Sequence, residues 1–430
     1  MSFKQATVVE VHAFGRLVGA VTHNPSFRNS YAFEYTPQWR ASGIQLAPLL
    51  MPSNQKSVWT FANLNEQTYY GLPPMIADSL PDKFGNALVD AYLASQAIPR
   101  SQITALDRLA YLGARGMGAL EFRPAQHPNT RQPSIIQMSQ LVQAARALIS
   151  GTIESEEAAN QVLGQILQVG TSAGGARAKA IVDFNPATLQ LKAGRPAHTA
   201  GFEKWLIKFD GVGRDNQLGN TAEYGRIEYA YSLMAKASGI EMTETRLLEE
   251  NGRSHFMTKR FDRTELGGKL HMQSLCALDQ VDFNLVKTNA YEQLFNAIVA
   301  LGLGQAALDQ AWTRMVFNVL ASNCDDHSKN FSFLMDSAGV WRLAPAYDVT
   351  FAYDPNNHWI NSHLMSVRGK FANIKPNDLY EVADIYGIAS AKRRLTEIRD
   401  VVANWQHFAT DAGVSPASIA EIGPHLNQIF

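Results

Sequence analysis

The sequence predicts an α+β chain: a small mixed domain, then a lobe of antiparallel strands with one helix, then a helical lobe. Three observations predict it. Residues 1–50 read as short alternating strands, as in VVEVHAFGRLVGAVTH. An Asn251-Gly252 pair joins TRLLEE to RSHFMTKRF, the strongest short-range hairpin signal in the chain. Leu308, Ala311, Trp312, Met315, Val319 and Leu320 fall on one helical stripe.

Composition sets the limits. The 430 residues carry 38 Lys+Arg against 39 Asp+Glu, a formal net charge of −1. With 46% hydrophobic and only 18% charged residues, the chain is not a disordered polyelectrolyte. No global positive field is available to coat a nucleic acid. The length exceeds one ordinary core, and we expect segments at 1–125, 126–258 and 259–430. Cys276 and Cys324 are the only cysteines, too sparse for a disulfide framework or a zinc site. The start, MSFKQATVVEV, has no signal-peptide pattern, and no stretch approaches ~18 uninterrupted apolar residues. The expectation is a soluble cytoplasmic protein with no membrane partner.

Along the chain, the first strands turn at Phe14-Gly15-Arg16, and YAFEYT continues the alternation. Phe84, Leu88 and Tyr92 then recur at helical spacing. A glycine-broken stretch ends near Pro124, and the polar, proline-bearing segment 125–134 reads as a linker. A helix is expected at 155–168, opened by Ser155. AKAIVDF and LQLKAG flank Asn185-Pro186 as a hairpin, and EKWLIKFD is a third strand. Thr221–Ala237 reads as a helix closed by Gly239. From about 274 the pattern is mostly helical.

Chemistry concentrates in a few places. Asn323-Cys324-Asp325-Asp326-His327-Ser328-Lys329-Asn330 follows the apolar helix. Asp325 and Asn330 have the D-x-x-x-x-N spacing of a kinase catalytic loop. In such a loop the Asp accepts a proton from the attacking hydroxyl, while the neutral Asn amide ligates Mg²⁺. Read alone, the segment is more readily a polar turn with two solvated carboxylates. Downstream, Asp348 ends LAPAYD, where a kinase-like chain carries its main Mg²⁺ ligand. Gly174, Gly175, Ala176, Arg177, Ala178 and Lys179 suit a phosphate, since small residues admit backbone N–H groups and the cations add charge. The stretch is neither a Walker A loop nor a Rossmann fingerprint, and alone it is also a flexible hairpin entry. Lys208 sits in an apolar strand, where an ammonium needs an anion or an edge from which to snorkel. Glu228 or Glu223, on the next helix, is placed to orient it, although either also reads as a surface carboxylate. Lys259, Arg260, Phe261 and Asp262 stand where an interlobe hinge meets adenine, with Asp262 toward the ribose; a charged strand end is the plainer reading.

Taken in order, AGGARAK (173–179), WLIKF (205–209), RFDR (260–263), NCDDHSKNFSF (323–333) and LAPAYDVT (343–350) resemble the HipA-like serine/threonine kinase toxins of bacterial toxin–antitoxin systems. YAFEYTPQW, SLPDKFGNALVDAYL and GALEFRP look like that family's first subdomain. The resemblance implies a divergent eukaryotic-like protein kinase fold, with a strand-rich ATP lobe, an all-helical C-lobe and an added N-terminal subdomain. It implies Asp325 as catalytic base, Asn330 and Asp348 as Mg²⁺ ligands, and Lys208 with the 174–179 loop on the ATP phosphates. Phe261 and its neighbours would line the adenine, with His327, Lys329 and Tyr347 beside the nucleotide. Ser172, or the adjacent Thr171, falls where the family autophosphorylates. A phosphate there would stand against the ATP phosphates and eject the loop. The family implies a protein substrate, with aminoacyl-tRNA synthetases the best-known class. It also implies a small helix-turn-helix antitoxin, and DNA only through that antitoxin. Departures are Asp326, where the family usually has Gly, Arg177 in the loop, and Lys259 at the hinge. Two rival expectations stand beside the kinase: a catalytically weak module of an antitoxin–DNA repressor complex, and a metal-dependent nuclease using Asp325, Asp326 and His327.

Overall fold

The computed structural model describes residues 4–24, 30–81, 83–96, 98–126, 178–194, 198–210 and 223–430. The chain forms two compact units, and neither is a continuous stretch. The first takes residues 1–213, 257–273 and 334–340; the second takes 214–256, 274–333 and 341–430.

In the first unit, strands β1 (Val8–Ala13), β2 (Arg16–His23), β3 (Tyr31–Tyr35), β4 (Val58–Thr60) and β5 (Glu121–Arg123) form one sheet. Its order is β4-β3-β2-β1-β5. The alternation read from sequence is the burial pattern: Val9, Val11 and Ala13 of β1 and Phe33 of β3 have no exposed surface. Phe14 and Gly15 both take positive φ, 53° and 74°, which a tight I′-type hairpin turn requires. Helix α1 (Ala105–Leu112) packs beside this sheet and opens on a capping box between Thr104 and Asp107.

A second set of strands, β6 (Lys179–Asn185), β7 (Gln190–Ala193) and β8 (Glu203–Lys208), pairs antiparallel in the order β7-β6-β8. The Asn185-Pro186 turn lies where expected, with the Asn185 side chain accepting from Ala187 and Thr188 N–H. The segment 257–273 returns against the stretch 114–121 of the same unit. There Asp262, fully buried, accepts from Nε and Nη2 of Arg260, Nη1 of Arg263 and the Gly118 N–H. These four donors match the capacity of one carboxylate. Burial opposes its charge, but Arg260 and Arg263 outweigh burial and hold the carboxyl far below its usual range. Lys269 pairs with Glu121 at 2.8 Å beside it.

In the second unit, helix α2 (Tyr224–Ala237) ends before Gly239, whose φ of 81° makes it the expected C′ glycine. The start expected at Thr221 lies outside the described residues. Gly225 has to be a glycine: a Cβ there would stand 1.9 Å from the Ser254 carbonyl oxygen. Strand β9 (Thr245–Glu250) turns into β10 (Arg253–Lys259) through Asn251 and Gly252, both at positive φ, as the Asn-Gly signal requires. Helices α3 (Tyr291–Ala300) and α4 (Gln305–Leu320) pack together, and all six residues of the stripe read on α4 are buried. The C-terminal part is not all-helical. Short strands occur at Ser332–Met335 and Trp341–Leu343, and a parallel two-residue pair joins Asn289–Ala290 to Met365–Ser366. Elements this short lack enough residues to show a period.

The Asp262 cluster and His271 make the stability of the first unit testable. Asp262→Ala strands two buried guanidinium groups, and denaturant unfolding should show a loss of about 3–5 kcal/mol. His271 is fully buried and bonds the Leu46 carbonyl through Nε2 at 2.9 Å. Burial lowers its pKa to about 4, against about 6.5 in the unfolded chain. The unfolded chain therefore gains a proton first, so stability falls as pH drops from 6.5 toward 4, by up to about 3 kcal/mol. His271→Gln should flatten that pH dependence.

Candidate active site

The site is built at the C-terminal end of α4. The helix stops at Leu320, and Ser322 turns the chain at a φ of 49°. Asn323 folds back, its N–H donating to the Asn318 carbonyl and its amide to Asn318 Oδ1. Cys324 N–H donates to the Ala352 carbonyl at 3.0 Å, which fixes the chain one residue before Asp325. After His327 a short 3-10 turn, Ser328–Asn330, closes the loop, and Asn330 Nδ2 donates to the Asp325 carbonyl at 2.8 Å. This leaves Oδ1 of Asn330 as the amide atom able to meet a cation.

The two adjacent carboxylates face different surroundings. The Asp326 side chain is fully buried and accepts from Tyr291 Oη, His363 Nδ1 and Leu364 N–H, at 2.7, 2.8 and 2.8 Å. Asn318 donates in turn to Tyr291 Oη at 2.9 Å. Asp325 keeps 37% of its side chain open. Its Oδ1 accepts from Trp359 Nε1 at 2.7 Å and lies 3.7 Å from His327 Nε2. Among the described residues its Oδ2 has no hydrogen-bond partner. Surrounding protein pushes the Asp325 carboxyl up; His327 and the Trp359 N–H pull it down, Asp348 and Asp326 push it further up, and the balance is upward.

Asp348 follows Tyr347 and sits in the left-handed region at φ 57°, which Asp tolerates better than most residues. Tyr347 holds that turn in place: its hydroxyl donates to the Lys329 carbonyl at 2.6 Å and shares a 2.5 Å hydrogen bond with Ser332 Oγ. Asn330 and Asp348 line one cavity, together with Asp326, Asn323, Asn318 and Arg314. Its volume of about 20 Å³ is on the scale of one water or one small ion. Arg314, buried on α4, has no hydrogen-bond partner for Nε and Nη2 among the described residues. Burial lowers its pKa to about 10, with Glu241 acting against it.

The chemistry of these donors suits Mg²⁺ and not zinc. Among the described residues no three His, Cys, Asp or Glu side chains group to hold a metal. One carboxylate and one amide oxygen are hard donors, and Mg²⁺ keeps its remaining positions for water and phosphate oxygens.

Other expected residues fall as follows. Lys179 and Lys208 are both buried and stand opposite each other across β6 and β8. Ala178 is buried and accepts from Phe209 N–H. Gly174, Gly175, Ala176 and Arg177, with Thr171 and Ser172, lie outside the described residues, as does the helix expected at 155–168. Glu228 is buried in α2. Glu223 is committed elsewhere: it accepts from the Ser415 N–H and from the hydroxyls of Ser415 and Ser418. Burial opposes its charge, but these bonds and Arg226 hold it below the usual carboxylate range, so it does not compete to orient Lys208. Lys259 pairs with Glu203 at 2.6 Å. Arg260 is committed to Asp262 and the Gly116 carbonyl, and Asp262, expected toward a ribose, is a fully buried ion-pair centre. Phe261 beside it is half-buried. His327 stacks near Phe283, whose ring lies 5.1 Å from the Lys329 ammonium. Tyr347 spends its hydroxyl on the loop. Asp326 neither crowds Asp325 with a free carboxylate nor joins a three-residue metal site, which removes the ligand set expected for a nuclease.

Trp359, His363, Tyr291 and Asn318 were not found from sequence. The usable signal was a Trp and two His within the polar run Asp354–His363, where a large aromatic needs a packing reason.

Two family models match the chain: the HipA N-terminal domain over residues 9–123 and the HipA-like C-terminal domain over residues 171–421. The HipA of Shewanella oneidensis MR-1, solved as a complex with HipB and its operator DNA, is 15% identical. It covers 98% of this chain and 95% of its own, with a TM-score of 0.64, which shows a shared fold. The Helicobacter pylori proinflammatory kinase CtkA is 14% identical over 52% of this chain and 93% of its own. Its TM-score of 0.30 is too low to bear on the fold. No curated protein matches the chain.

Asp326 gives the test of this architecture. Asp326→Ala leaves Tyr291, His363 and the Leu364 N–H without their buried acceptor. Urea unfolding should show a loss of about 3 kcal/mol or more.

Proposed function

Since the chain belongs to the HipA-like family, we propose that it is the toxin of a toxin–antitoxin system and acts as an ATP- and Mg²⁺-dependent serine/threonine protein kinase. One observation carries the reading. Asp325 presents a carboxylate oxygen with no hydrogen-bond partner among the described residues, from a loop closed by Asn330, and Asn330 shares a cavity with Asp348. A phosphoryl transferase needs that grouping, because its protein groups mainly position the reactants and balance charge.

In this reading Asp325 Oδ2 takes the proton of the substrate hydroxyl as that oxygen attacks. The upward push on its pKa makes its carboxylate a stronger base. Asn330 Oδ1 and the Asp348 carboxylate hold Mg²⁺. Lys179 and Lys208, register partners on β6 and β8, would hold ATP phosphates. MgATP, when bound, would supply the γ-phosphoryl group to the attacking oxygen with ADP as the leaving group, and its Mg²⁺ would neutralise the charge that develops. Phe261 and the backbone about Lys259 receive adenine, and His327 and Lys329 lie beside the nucleotide.

The substrate is a cellular protein, an aminoacyl-tRNA synthetase being the class the family suggests. Ser172, or Thr171, is the autophosphorylation site in the glycine loop. The Shewanella oneidensis relative was solved with HipB and operator DNA. A small helix-turn-helix antitoxin is the corresponding partner here, with DNA reached through it, as a net charge of −1 favours. Among the described residues no helix is long and apolar enough to cross a membrane. A cytoplasmic location is the one the sequence reading expects.

The test is incubation with labelled ATP and cell lysate, followed by mass spectrometry of the labelled peptides. Wild-type protein should label a target and its own glycine loop. Asp325→Asn should lower transfer about 10²–10⁴-fold while MgATP binding survives. An unlabelled proteome, or full transfer by the variant, would sink the reading.

A further inference from the structure

We propose that Trp359 is a positioning residue: its indole N–H ties down Oδ1 of Asp325 and leaves Oδ2 as the oxygen presented to the substrate hydroxyl. This rests on the reading of Asp325 as the base, and it adds a residue that no kinase-like motif in the sequence points to.

The geometry is specific. Trp359 Nε1 donates to Asp325 Oδ1 at 2.7 Å, a short charge-assisted bond. His327 Nε2 lies 3.7 Å from the same oxygen, and its ring meets the Trp359 ring edge-on with centroids 6.3 Å apart. Both groups therefore act on one oxygen. Among the described residues no group bonds the other.

The segment that carries Trp359 is built to deliver it. It starts at Ala352, whose carbonyl accepts from Cys324 N–H and whose N–H donates to the Ser322 carbonyl. Ile360, just past Trp359, packs with Ala352 against Cys324, and Tyr353 and Trp359 lie against that cluster. Asp354 N–H reaches the Ile360 carbonyl at 3.3 Å, and Asn357 N–H reaches the Asp354 carbonyl at 3.1 Å, so the segment closes on itself. Asn357 Oδ1 then accepts from Trp359 N–H at 2.9 Å and sets the backbone from which the indole projects. Both ends are thus anchored beside the residue that precedes Asp325.

A carboxylate on two rotatable bonds otherwise samples several orientations, and a misplaced base loses rate steeply. A donor on Oδ1 removes that freedom. That donor acts on the carboxylate itself, so its effect belongs in the chemical step.

Single-turnover phosphoryl transfer by the full chain tests this. Trp359→Phe keeps the ring and removes the donor. It should lower the rate about 10-fold with the KM for ATP within about twofold of wild type. In an Asp325→Asn background the same change should have less than a twofold effect, because Trp359 acts only through the carboxylate. Asn357→Ala, which loosens the aim of the indole, should give a smaller loss with the same non-additivity. It also stands in if Trp359→Phe does not fold by circular dichroism. Wild-type or faster transfer in the folded Trp359 variant overturns the proposal, and so do equal fold-losses in both backgrounds. If Asp325→Asn itself transfers at the wild-type rate, the base assignment has failed, and this proposal fails with it.

Discussion

The hydrogen bond from the Asn330 amide to the Asp325 carbonyl is the constraint on which the site depends. It joins the two ends of a short polar loop at the end of a buried helix, where backbone groups have no regular partners. With that bond in place, the backbone from which Asp325 projects and the free oxygen of Asn330 are set together. Tyr347 extends the same constraint to the next segment, because its hydroxyl bonds the Lys329 carbonyl just before Asn330 and so fixes the turn that holds Asp348.

A polar loop of this kind is costly to bury unless every group is met. The second unit meets part of the cost with a chain of bonds beneath the loop, although Asn323 Oδ1 and His327 Nδ1 are buried with no hydrogen-bond partner among the described residues. Asn323 holds Asn318, Asn318 holds Tyr291, and Tyr291 holds Asp326. Asp326 in turn takes His363 and the Leu364 N–H from a distant segment. The network rigidifies because each member is bonded. The stripe on α4 serves both purposes: its Leu, Trp and Met residues fill the core, while Asn318 and Arg314 on the same helix reach the loop and its cavity.

The parts legible in the sequence were those whose meaning is local. Strand alternation, the Asn-Gly turn, the α4 stripe and the D-x-x-x-x-N spacing depend on near neighbours, and these elements stand where their patterns put them. Asp262 was not legible in the same way. A charged residue at a strand end suits a ligand or an ion pair equally, and only its burial against Arg260, Arg263 and Gly118 decides for the ion pair. Glu223 went the same way once Ser415 and Ser418, nearly two hundred positions along, were seen to hold it. Trp359 and His363 meet their carboxylates across 34 and 37 positions, a distance at which one sequence carries no pairing signal. The two-residue strands at Asn289 and Met365 are too short for any period to announce them.

The contrast between Asp325 and Asp326 shows how one stretch of backbone separates structure from chemistry. Neighbouring residues in an extended chain point to opposite sides. One carboxylate enters the interior, where three donors make it a fixed anchor. The other emerges with one oxygen tied and one open. Were both exposed, their mutual repulsion would raise both pKa values and blur which one reacts. Were both buried, no base would remain. Sending the first carboxylate inward lets its charge be absorbed by Tyr291 and His363, while its neighbour keeps a defined direction. The substitution of Asp for the smaller residue expected at 326 thus adds a fastening under the loop, and the reactive group beside it gains rigidity from the charge that seemed to crowd it.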